Sequence, residues 1–159
     1  MSTRTRVRRV VPGATKKARA KAMGEVRAKI SLTNATDEEL ARQGKLRGRK
    51  PRGCVVDAMV DSGAVRLVLP VLVVQRLGLS TARQEVVEYA DGRKDVVNVT
   101  SAVTVEWQGR VATEDALVLG DEVLIGQTVL EKLDLHVDCA NQRLIPNPAH
   151  PDQPVTKVK

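Results

Sequence analysis

The residues best suited to chemistry lie in one short segment, Val55-Val56-Asp57-Ala58-Met59-Val60-Asp61-Ser62-Gly63-Ala64. A mainly apolar run ends on a carboxylate, Asp61, and three small residues follow at once. A carboxylate can serve as general base or general acid once its surroundings fix its protonation state. Gly63 and Ala64 let another backbone or a substrate approach closely. Ser62 can hydrogen-bond locally or across to a partner. The same pattern is commonplace at strand ends, where Asp before Ser-Gly simply makes a turn. Asp57 lies four residues earlier, lacks the small-residue turn, and reads as a solvated strand carboxylate.

Other chemistries fit less well. Ser62 has no Gly-x-Ser-x-Gly elbow, and neither His136 nor His150 has a patterned partner for nucleophilic catalysis. His136 is expected on the solvent side of a strand and His150 exposed near the C-terminus. His136 and Cys139 supply one His and one Cys with no second pair at ligand spacing, so no metal site is expected. Cys54 and Cys139 read as idle thiols of a reducing compartment. No Gly-rich phosphate loop is present.

The elements that must carry Asp61 are short and mostly extended. Residues 26–32 alternate strictly, with Val26, Ala28, Ile30 and Leu32 on one face. Residues 34–42 can hold a helical turn with Thr36 as cap. Residues 44–53 read as an exposed basic loop, open to nicking. Residues 54–61 form the strand that ends on Asp61, and 65–69 a short extended run. A helix over 71–77 follows, with Pro70 at its entry and Gly78 past its end. A hairpin over 85–99 turns at Asp91-Gly92, and a second over 100–119 turns at Gln108-Gly109. Residues 123–126 form a short strand, 128–133 a second helix and 135–145 a last hairpin. Four of the seven prolines follow Ile145, which predicts an extended tail or a strap across a surface. The fold class expected is all-β with two short helices, a barrel or folded sheet.

Composition sets the outer limits. A chain of 159 residues and 17.3 kDa suits one domain. Val occurs 26 times and Phe not at all, so the core must be aliphatic and strand-rich. With Tyr89 and Trp107 as its only aromatics, the chain lacks the platforms on which nucleic-acid readers stack bases. The net charge of +7 is uneven: residues 1–52 carry 16 Lys/Arg against 4 Asp/Glu, and residues 53–159 carry 10 against 15. A basic front end can serve as an arm for nucleic acid or be no more than a solvated tail. No apolar run reaches the roughly 18 residues that span a bilayer. A soluble, cytoplasmic protein that does not engage membrane is expected.

The ordered set of motifs is similar to the retroviral-type (retropepsin-like) aspartic proteases, especially their small bacterial single-domain relatives. Four elements carry the resemblance. They are Val60-Asp61-Ser62-Gly63-Ala64, Leu69-Pro70 with a helix ending Leu77-Gly78-Leu79, the hairpin tip Tyr89-Ala90-Asp91-Gly92, and Leu124-Ile125-Gly126 before a helix. The resemblance implies a retropepsin-like acid protease barrel, one lobe per chain, over residues 23–146. It leaves a basic tail at 1–22 and a Pro-rich tail at 147–159.

It also implies a mechanism. Two carboxylates held together cannot both ionise, so they share a proton; the charged one activates water and the protonated one polarises the scissile carbonyl, as in aspartic proteases generally. The chain has one Asp-Ser-Gly-Ala, so the second carboxylate would come from a second copy in a homodimer. Asp61, Ser62 and Gly63 would be the catalytic set. Ala64, Tyr89, Ala90, Asp91, Gly92, Ile125 and Gly126 would line a peptide or protein substrate, with no cofactor. Gly126 is followed by Gln127-Thr128, where retroviral enzymes commonly carry an acidic or amide residue two positions on. Two other readings use the same sequence: a dimeric peptide-binding module that does not cleave, and a nucleic-acid-binding barrel using the basic front end.

Overall fold

The computed structural model describes residues 25–159. The basic tail at 1–22 lies outside the described residues. Strand β1 (Val26–Asn34) realises the strict alternation, burying Val26, Ala28, Ile30 and Leu32. It pairs antiparallel along its length with β2 (Gly53–Val60), and its C-terminal half pairs on the other side with β6 (Val103–Trp107).

Among the described residues three short helices occur rather than two. The extra one, α1 (Ala35–Arg42), starts earlier than Thr36 predicts, because Asn34 is its cap. Asn34 carries both an acceptor and a donor: its Oδ1 accepts from Asp37 N–H at 3.0 Å and its Nδ2 donates to Leu77 O at 2.9 Å. It thereby ties the start of α1 to the end of α2 (Val71–Leu77). Helix α2 begins after Pro70 and ends on Gly78 in the left-handed region, as its sequence requires.

The basic loop is exposed, as its sequence indicates, and is anchored at two points. Leu46 is buried, and the guanidinium and backbone N–H of Arg52 donate to the buried carboxylate of Asp37. Those bonds from Arg52 outweigh burial and hold Asp37 at a pKa of about 2.

The hairpin of β4 (Thr81–Glu88) and β5 (Lys94–Thr100) is longer than the pattern indicates. The run over 110–119 is not one strand. It breaks at Asp115 into β7 (Arg110–Glu114), paired with β6, and β8 (Ala116–Val118). Strand β8 crosses to lie parallel to β3 (Leu67–Leu69) and pairs with β5 through Val99 and Leu117. Thr100 Oγ1 accepts from Ala116 N–H at 3.1 Å at this crossing.

With β9 (Leu124–Ile125), nine strands form one sheet in the order β4-β5-β8-β3-β9-β2-β1-β6-β7. A flat sheet would separate β8 from β7 by about 29 Å at ~4.8 Å per strand. Yet Ala112 on β7 and Ala116 on β8 are four residues apart, within about 14 Å along the chain. The sheet is therefore rolled. Its aliphatic interior takes in Ile30, Leu32, Leu67, Leu69, Val103 and Val105, with Leu77 of α2 and Val129, Leu130 and Leu133 of α3 (Gln127–Leu133).

The final hairpin, β10 (Leu135–Asp138) and β11 (Arg143–Pro146), leads into residues 147–159. This C-terminal segment is a strap. Arg110, nearly fully buried, donates to the carbonyls of Leu133, Asp134 and His150. The Asp134 carboxylate accepts from Asn147 Nδ2 at 2.9 Å and from Val155 N–H at 3.0 Å, and sits 2.6 Å from His150 Nδ1. His150 is accordingly half-buried and partnered, not exposed as its sequence context suggests; His136 does face solvent. No described helix is long and apolar enough to cross a membrane.

Candidate active site

Asp61 begins the loop that leaves β2, and four backbone hydrogen bonds fix where it stands. Met59 N–H donates to Val123 O and Asp61 N–H to Ile125 O, both at 2.9 Å, extending the parallel pairing of β2 with β9. Gln127 N–H then donates to Ala64 O at 2.9 Å, and Thr128 N–H to Val65 O at 3.0 Å. The start of α3 therefore grips the far side of the same turn. Asp61 is clamped from both directions by one neighbouring segment, residues 123–128.

Gly126 sits at the centre of this clamp. A Cβ there would lie 2.7 Å from Ala64 O, 2.7 Å from Arg66 O and 2.8 Å from Arg66 N, all backbone atoms. The glycine is required by close approach, not by its dihedral angles. Ile125, just before it, is buried in the core.

Within the turn, Gly63 N–H donates to Asp61 Oδ1 at 2.9 Å and Ala64 N–H to Asp61 O at 3.1 Å. One carboxylate oxygen is thus oriented by the backbone. Asp61 and Ala64 are partly exposed; Ser62 and Gly63 are exposed. Beside Ser62 opens a cavity of about 850 Å³, walled by Gln127 and His136 and by Val155, Thr156 and Lys157 of the strap. Asp57 is exposed and ion-paired with Arg27 at 2.8 Å, consistent with a structural surface carboxylate.

Tyr89, Ala90, Asp91 and Gly92 form the tip joining β4 to β5, and its bonds are internal. Gly92 N–H donates to Tyr89 O at 2.9 Å and Tyr89 N–H to Arg93 O at 2.8 Å. Arg93 stacks on the Tyr89 ring, 4.6 Å from its centroid, and pairs with Asp91 at 3.2 Å. The geometry thus brings Asp61–Ala64 together with Ile125–Gly126, and puts Tyr89–Gly92 on a separate hairpin.

The root of that hairpin carries residues the sequence pattern does not single out. Arg66 pairs with Glu85 at 2.7 Å and with Asp115 at 2.6 Å, and Arg83 pairs with the same two carboxylates at 2.5 and 3.2 Å. The bond from Arg83, joined by Arg66, holds the Glu85 carboxyl below its usual pKa. Burial would raise Asp115, but the bonds from Arg66 and then Arg83 overcome it and lower that group too. The one sequence signal for this cluster is Asp115, an acid interrupting an extended run. Among the described residues no three His, Cys, Asp or Glu side chains are grouped to hold a metal ion, and Cys54 and Cys139 are both free thiols.

The aspartyl protease family model matches residues 45–137, more than half of the chain. The matched span holds the Asp61 turn, the β4–β5 hairpin and Gly126 together. The chain belongs to the aspartyl protease family. Among solved structures it is similar to the EIAV protease complexed with the inhibitor HBY-793, at 22% identity and a TM-score of 0.45, over 67% of this chain and 88% of that one. It is also similar to the simian foamy virus (mac) protease in solution, at 19% identity and a TM-score of 0.38, over 48% of this chain and 80% of the other. No curated protein matches it in sequence.

Proposed function

We propose that the protein is an aspartic endopeptidase of the retroviral type that works as a homodimer, with Asp61 and its mate forming the catalytic pair on the twofold axis. The observation that carries this reading is the Asp61 turn. It is clamped by residues 123–128 on its inner side, while Ser62 and Gly63 are left at the surface. A single chain offers one such turn, and acid–base hydrolysis needs a second carboxylate within hydrogen-bond reach.

Across the axis the two carboxyl groups share one proton. The ionised one takes a proton from water as that water attacks the scissile carbonyl. The protonated one donates to the carbonyl oxygen as it gains charge. Gly63 N–H fixes the orientation of one Asp61 oxygen, and Ser62 braces the two turns across the axis. An extended peptide lies against Ala64, Ile125 and Gly126 and pairs as an added strand. The hairpin tip at Tyr89–Gly92 closes over it. No cofactor enters these steps.

A cleavage assay on an unfolded protein substrate, from about pH 4 to 7, tests this reading. Wild type cuts, its rate per chain rises with enzyme concentration, and Asp61→Asn is inactive though folded. Equal cleavage by the two forms would remove Asp61 from the mechanism.

A further inference from the structure

The four charges at the root of the β4–β5 hairpin form a closed ring: Arg66 to Glu85, Glu85 to Arg83, Arg83 to Asp115, and Asp115 back to Arg66. Each charge has two partners of opposite sign. Isolated surface pairs contribute little, but a closed network of forked guanidinium–carboxylate bonds restricts geometry as well as charge.

Its members come from different parts of the chain. Arg66 is anchored through its backbone, whose N and O lie against Gly126 in the clamp that positions Asp61. Its side chain reaches Glu85 on β4. Asp115 marks the break between β7 and β8. Arg66 therefore touches the Asp61 scaffold with its backbone and the hairpin with its side chain.

The hairpin has few other ties to the body. They lie at its base, where Val99 pairs with Leu117, Thr100 Oγ1 accepts from Ala116 N–H at 3.1 Å, and Val97, Val99 and Thr100 are buried, while Ser80 and Ser101 join the two legs of the hairpin with bonds of 2.8 and 3.2 Å. Above that base β4 and β5 pair with each other, and Val86 and Val96 stand in solvent.

We infer that the Arg66–Glu85–Arg83–Asp115 ring is a latch that sets the pose of the β4–β5 hairpin relative to the Asp61 turn, making Arg66 and Glu85 positioning residues for substrate closure. The inference rests on reading that hairpin as the cover of the site. The ring carries no net charge, so it acts on the hairpin and leaves the charge preference of the substrate unchanged. Once the ring is opened, the hairpin is held by its base alone and a bound peptide must order it. That lost preorganisation appears in KM, while the chemistry at Asp61 continues.

Two readouts on the full-length protein test this, with wild type, Glu85→Gln and Arg66→Lys. In Glu85→Gln, amide hydrogen exchange over residues 83–97 quickens about tenfold with the rest of the chain unchanged. KM for an extended peptide rises by a similar factor, with kcat within about twofold. Arg66→Lys keeps the charge without the fork and falls between the two. Exchange that is unchanged in 83–97, exchange that quickens throughout the chain, or KM that stays constant would each overturn the latch. If wild type does not cleave at all, the proteolytic reading fails, while the exchange pattern still decides whether the ring holds the hairpin.

Discussion

Replacing Gly126 with alanine adds one methyl group at the point where the chain has least room. The new Cβ meets Ala64 O and Arg66 O at 2.7 Å and Arg66 N at 2.8 Å. Backbone atoms cannot rotate away as the end of a side chain can, so the two segments must separate by several tenths of an ångström. Overpacking of this kind costs about 1–3 kcal/mol. Separation also strains the bonds from Gln127 N–H to Ala64 O and from Thr128 N–H to Val65 O, each contributing roughly 0.5–1.5 kcal/mol. The expected loss is therefore about 2–6 kcal/mol, read as a lower urea midpoint with unchanged slope. In chains that remain folded the Asp61 turn is displaced, and a shift approaching 1 Å at a reacting group costs on the order of 100-fold in rate. Gly63→Ala provides the contrast. Its Cβ would meet only Asp61 Oδ1, at 3.2 Å. Stability should change little while cleavage falls, because the contact is with the carboxylate itself. If Gly126→Ala unfolds at the wild-type midpoint and cleaves at the wild-type rate, the clamp does not position Asp61.

Asp37 should govern part of the acid stability. Its folded pKa of about 2 lies below the ordinary 3.8, so its contribution is complete above about pH 4 and is lost as pH falls through about 2. Asp37→Asn should lower stability by about 1.5–3 kcal/mol near neutrality and flatten the acid limb of a plot of urea midpoint against pH; an unchanged limb would exclude the Asp37–Arg52 pair as its source. Arg110→Met should destabilise by roughly 3 kcal/mol, since it strips donors from three carbonyls at the end of α3 and in the strap. Limited proteolysis of that variant should cut first within residues 147–159, and first cuts elsewhere would show that Arg110 does not hold the strap.

Local pattern made the strands and α2 legible. Alternation in β1, Pro70 and Gly78 around α2, and Asp91-Gly92 at the hairpin tip each act over a few residues, and each appears where expected. Asp61 and Gly126 were legible as motifs, but not the reason they meet. The clamp depends on β9 entering parallel beside β2, pairing Met59 with Leu124 and Val60 with Ile125, a register no local signal encodes. Asn34 was missed as a cap because its second bond goes to Leu77, far along the chain. The break at Asp115 is not legible because its partners are Arg66, just before β3, and Arg83 on β4. His150 looked like a tail residue, since its partner Asp134 sits beyond an intervening hairpin.

The central claim is that two Asp61 side chains from two copies make one catalytic pair. The most direct measurement keeps wild-type enzyme constant, adds increasing Asp61→Asn chain, and follows cleavage of excess substrate at concentrations where both forms are dimers. Random pairing in a twofold dimer predicts that activity falls to about half at equal amounts and to about a quarter at threefold excess. Activity that stays at the wild-type level while mixed dimers demonstrably form would contradict a shared pair and place the whole of catalysis within a single chain.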